Sequence, residues 1–134
     1  MSLPISLIVL PSSVVMLIIH AAGSYLGFRG LTIPRGVGIY VSVFEVLYYV
    51  LVSSLVLRIL PVWLTLLVIL MLITHLIGVY AYFKGYLGKY ASRRMLIYYG
   101  FYELIEFTIV LAIGVYLAYS PFLIKVNQII CRLH

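Results

Sequence analysis

The chain has 134 residues, of which 66% are hydrophobic and 9% charged, with a mean hydropathy of +1.24. A soluble domain carries about a quarter charged residues, so this composition excludes an ordinary soluble enzyme and assigns the chain to the bilayer. Nine Lys and Arg against three Glu and no Asp give a formal charge of +6, which in a membrane protein reports topology and lipid head groups before nucleic acid.

The longest uncharged runs, 1–28, 59–83 and 107–124, each approach the ~20 residues a spanning helix needs. A fourth apolar segment, 36–60, is interrupted only by Glu45 and Arg58. Four spanning helices are therefore expected. The first runs from residue 5 or 11 to Phe28, with Pro11 either opening it or kinking it. Gly23 and Gly27 in this helix have the GxxxG spacing that allows close helix approach. Its amino-terminal flank has no basic residue, so no removable signal peptide is expected. The basic loop 29-RGLTIPRG-36 leads into a second helix over 36–60, and Leu60-Pro61-Val62 forms a sharp turn into a third over 62–83. A second basic loop, 84-KGYLGKYASRR-94, precedes a fourth helix over 95–120, which Pro121 is expected to interrupt before a short helical tail. Cys131 is the only cysteine, which rules out an intrachain disulfide and a thiolate cluster.

Two stretches occur twice. Residues 16-MLIIHAAGSYLGFRG-30 and 71-MLITHLIGVYAYFKG-85 share eight of fifteen positions, where about one or two would arise by chance. Residues 39-IYVSVFEVL-47 are answered by 97-IYYGFYELI-105. The chain therefore reads as a tandem duplication, with one helical hairpin over 1–60 and another, plus a tail, over 61–134. The expected fold is all-α and integral to the membrane, four transmembrane helices forming two hairpins related by a pseudo-twofold axis along the membrane normal. The two loops hold six of the nine basic residues, so the positive-inside rule places them in the cytoplasm and both termini outside.

The repeat also places the polar residues of the spans. His20, Glu45, His75 and Glu103 each stand eight residues from a loop-end position, about 12 Å below the basic surface. Glu106 lies on the face of Glu103, where the first copy has Tyr48. Ionisable groups at that depth are functional or mutually paired. One reading is His–Glu pairs that lock helices together, within a hairpin or across the bundle. Another is a cofactor. His20 and His75 could ligate a haem b in a respiratory redox subunit, with Gly23 and Gly78 leaving room for the porphyrin, or two His and two Glu could hold a non-haem metal. A third is a small proton-coupled ion transporter using Glu103, Glu106 and His75. There is no nucleophile beside a base and no glycine-rich phosphate cradle, so no catalytic residue and no enzyme activity are expected.

Each half of the chain is two apolar helices joined by a short basic loop, with both ends on the outer side. In this plan, carried by 29-RGLTIPRG-36 and 84-KGYLGKYASRR-94, each half resembles the pilin of conjugative type IV secretion systems, including archaeal relatives in Ced-type DNA-import machinery. The doubling and the intramembrane His and Glu depart from that family. The resemblance implies a pilin subunit, stored in the cell membrane and assembled as a homo-oligomer with bound lipid into an extracellular conjugative pilus for DNA transfer. It further implies that Arg29, Arg35, Lys84, Lys89, Arg93 and Arg94 face the lumen, meeting lipid head groups and single-stranded DNA in transit. His20, Glu45, His75, Glu103 and Glu106 would be buried pairs in the wall, with no metal or other cofactor. This resemblance is the leading expectation from sequence.

Overall fold

The computed structural model describes residues 3–56, 60–86 and 92–133, with side chains described over 8–54, 60–86 and 92–119. Four helices, α1 (Leu3–Phe28), α2 (Arg35–Val56), α3 (Val62–Lys84) and α4 (Arg93–Leu133), account for the described residues, with no strand among them. Each contains a segment long and apolar enough to cross a bilayer: Ile8–Phe28, Arg35–Ser54, Val62–Lys84 and Arg93–Tyr119. Large apolar side chains such as Ile18, Tyr40, Leu66, Ile77 and Tyr119 cover the outside. In water such a surface would aggregate; in lipid it is the solvated face.

The helix ends follow from local chemistry. Gly30 and Gly85, the last residues of the two repeated stretches, have positive φ (69° and 73°), a conformation that glycine adopts without a Cβ clash. At both, the glycine N–H bonds the carbonyl three residues back (Gly27, Tyr82). The following N–H, of Leu31 or Tyr86, reaches the carbonyl five back (Leu26, Ala81). This is the Schellman closure, so the repeated F-[RK]-G is a helix stop used twice.

Of the two alternatives at Pro11, the structure takes the longer helix, α1 beginning at Leu3 and continuing through Pro11. The expectation at Pro121 is corrected: α4 continues through it as one helix of 41 residues, where the sequence pointed to an interruption. Proline removes one backbone donor and crowds the preceding turn, but neighbouring helices and hydroxyls satisfy the freed groups inside a bilayer. Near Pro11, Ser12 and Ser13 donate to the carbonyls of Ile8 and Val9, each at 2.8 Å. α4 is roughly 60 Å long at 1.5 Å per residue, about twice the hydrocarbon thickness, so its end lies beyond the span.

Packing pairs helices across the repeats. α1 packs chiefly on α4 and α2 on α3, with lesser contacts between the two helices of each hairpin, α1 with α2 and α3 with α4. Gly27 sets the first interface: a Cβ there would lie 2.7 Å from Gly100 Cα and 2.8 Å from the Leu96 carbonyl oxygen. The half of the bundle away from the basic loops is a dry core of Val9, Met16, Val52, Leu64, Val68, Val110, Ile113 and Leu117, nearly all fully buried. An apolar groove between α1 and α4, lined by Leu10, Pro11, Val14, Val115 and Ala118, opens outward on that half.

Candidate metal centre

Above the dry core the helices bring five ionisable side chains into one buried cluster. His20 comes from α1, Glu45 from α2, His75 from α3, and Glu103 and Glu106 from α4. None is more than 7% exposed, and His20 is fully buried. The first hairpin contributes one His and one Glu and the second one His and two Glu, and three of the four close contacts join opposite repeats, the exception being His75 with Glu106. His20 Nδ1 lies 2.8 Å from Glu103 Oε2 and 3.4 Å from Glu106 Oε2. His75 Nε2 lies 3.6 Å from Glu45 Oε2 and 3.5 Å from Glu106 Oε1. The rings of the two histidines are 6.1 Å apart, edge to face.

A backbone hydrogen bond fixes the tautomer of His75. His75 Nδ1 is 2.7 Å from the Met71 carbonyl oxygen, which only accepts, so Nδ1 carries the proton. A neutral His75 therefore presents the Nε2 lone pair to two carboxyl oxygens, the arrangement in which an outer-shell hydrogen bond orients a histidine ligand. His20 Nδ1 is hydrogen-bonded to Glu103 Oε2 at 2.8 Å, and His20 Nε2, buried, has no hydrogen-bond partner. The Tyr102 hydroxyl donates to Glu106 Oε1 and lies 3.0 Å from Thr74 Oγ1, whose own hydroxyl donates to the Met71 carbonyl at 2.9 Å. Tyr49 stacks on His75 with centroids 4.9 Å apart, and its buried hydroxyl has no hydrogen-bond partner.

The donors converge tightly enough for a cation. One ligand atom each from His20, Glu45 and His75 lie within 4.8 Å of one another, and the same is true of His20, Glu103 and Glu106. Among the described residues no Lys or Arg forms an ion pair with the three carboxyls; the two histidines are the basic groups that face them. Of the two glycines expected to make room for a porphyrin, Gly23 accommodates the Glu103 carboxyl, whose Cδ would lie 2.7 Å from a Cβ at that position, whereas Gly78 faces open space, with no atom of another helix within 4 Å of its Cβ position.

The basic residues gather at the loop end. Arg35 donates to the Phe83 carbonyl oxygen at 2.8 Å, and the Arg93 side chain lies against Gly30, so the loop ends of the two repeats are tied to each other. Arg29, Lys84 and Arg94 stand over the rings of Tyr25, Tyr80 and Tyr98 at 5.4, 5.8 and 5.8 Å. Lys89 lies outside the described residues.

Tyr102, Thr74 and Gly100 were not singled out from sequence. Tyr102 precedes Glu106 by four residues, a helical neighbour spacing that signals a shared face. Gly100 has no glycine four residues away and carries no such signal. Comparison with protein-family models, curated proteins and solved structures finds no match to this chain.

Proposed function

We propose that this chain is an integral-membrane metal-binding protein whose bundle holds a divalent transition-metal cation at the His/Glu cluster. One observation carries the reading: two buried imidazoles and three buried carboxyls converge, with no Lys or Arg among the described residues to neutralise them. Unpaired carboxylates in a low-dielectric core are very costly. A dication offsets two of the three negative charges and occupies the gap where acceptor faces acceptor. Mixed imidazole and carboxylate donors suit manganese, iron, cobalt or zinc. The ion is best read as resident. The basic rim repels a dication at one end, the dry core seals the other, and neither suits a cargo in transit.

The test is metal analysis of the detergent-purified chain after chelator stripping and reloading with Mn(II), Fe(II) or Zn(II). Wild type is expected to retain at least one equivalent, and His20→Ala/His75→Ala to weaken binding by about 100-fold or more, beyond the 10–100-fold typical of outer-shell losses. A folded wild-type bundle that retains none of these ions overturns the reading. The proposed pseudo-twofold relation between repeats draws support from the α1–α4 and α2–α3 interfaces, which exchange when the repeats exchange.

The gathering of five described basic residues at one end favours a second reading, the filament subunit that the pilin resemblance implies, with lipid phosphates against that rim. Negative-stain microscopy of cell-surface preparations should then show filaments containing this chain; its recovery only as discrete membrane particles counts against the idea.

A further inference from the structure

We infer that the centre is dinuclear, with the Glu106 carboxylate bridging two divalent transition-metal ions; this rests on the metal-binding reading above. The donors fall into two groups that overlap at His20, one with Glu45 and His75 and the other with Glu103 and Glu106. Ligands bound at about 2.0–2.2 Å and at tetrahedral or right angles stand about 2.8–3.6 Å apart. The separations match on both sides of the cluster. His20 Nδ1 is 2.8 and 3.4 Å from Glu103 and Glu106, and His75 Nε2 is 3.6 and 3.5 Å from Glu45 and Glu106.

Glu106 alone is shared between the two sides. Its Oε2 faces His20 while its Oε1 faces His75, one carboxylate oxygen toward each histidine. The duplication accounts for this division. Each repeat supplies one His and one Glu, and Glu106 is the single carboxyl without a counterpart, since Tyr48 stands at its equivalent in the first copy. A bridge is needed once, whereas terminal ligands are needed on both sides. Tyr102 holds the Glu106 carboxyl, and the Met71 carbonyl orients His75, the outer-shell support that metal ligands require.

The full chain in detergent, stripped with chelator, is titrated with Mn(II) while bound metal is counted by mass spectrometry and the ions are followed by electron paramagnetic resonance. The expected result is two Mn(II) per chain with an exchange-coupled spectrum. Glu106→Gln is expected to abolish the coupling and lower the count toward one, with helicity checked by circular dichroism. One Mn(II) per wild-type chain, or two without coupling, overturns the dinuclear centre but leaves the metal-binding reading intact. A folded wild-type chain that binds none overturns both. Two coupled ions retained in Glu106→Gln remove Glu106 as the bridge. The wild-type count decides the nuclearity even where the variant fails to fold.

Discussion

Glu103→Met is expected to lower the stability of the metal-free bundle by about 1–3 kcal/mol, the usual result of leaving a buried hydrogen-bonding group without its partner. His20 is fully buried and Glu103 is 3% exposed, with 2.8 Å between Nδ1 and Oε2. Methionine keeps the unbranched shape that fits against Gly23 but leaves His20 Nδ1 without its hydrogen-bond partner. The penalty therefore comes from desolvation of the surviving partner, more than from the lost bond. The double variant His20→Leu/Glu103→Met removes both polar groups and should recover most of the loss. Unfolding by denaturing detergent in mixed micelles, with chelator present, measures all three differences. A single-variant loss below about 1 kcal/mol would falsify the desolvated pair, because exposed pairs fall in that range.

Gly27→Val is expected to cost about 2–3 kcal/mol and to weaken metal binding together with stability. The Cβ it introduces would lie 2.7 Å from both Cα and N of Gly100 and 2.8 Å from the Leu96 carbonyl oxygen. All three are backbone atoms, so no rotamer change relieves the contact, and α4 has to move away as a unit. Overpacking on that scale costs a few kcal/mol. Glu103 follows Gly100 by three residues, less than one helical turn, so a shift of α4 also pulls its carboxyl from His20. Gly78→Val is the control: its Cβ position meets no protein atom within 4 Å, and it should leave both readouts within error. Equal effects at the two glycines would show that side-chain volume in the spans, rather than the α1–α4 contact, sets stability.

These two expectations separate what was legible in the residues from what was not. Gly27 was legible as a site of close approach from its spacing to Gly23, but its partner Gly100 was not, because one glycine in an apolar run has many explanations. His20 and Glu103 were both legible as buried polar groups near one depth, yet their pairing was left open between hairpin and bundle. The bland alternative of mutual His–Glu pairs and the metal reading rest on the same contacts. What favours the metal reading is the His75 Nδ1 held by a backbone carbonyl, which leaves Nε2 facing two carboxyls and is visible only with coordinates.

The sequence by itself determined the four apolar spans, the basic loops and the approximate depth of each His and Glu. These are local properties: hydropathy over a window, charge along the chain, and a rise of 1.5 Å per residue. The tertiary structure decided which helices touch, that α4 runs on through Pro121, and that Glu106 stands between the two histidines. Helix rotation and partner choice come from side-chain packing between segments far apart in the chain, as at Gly27 against Gly100, and no local pattern encodes them.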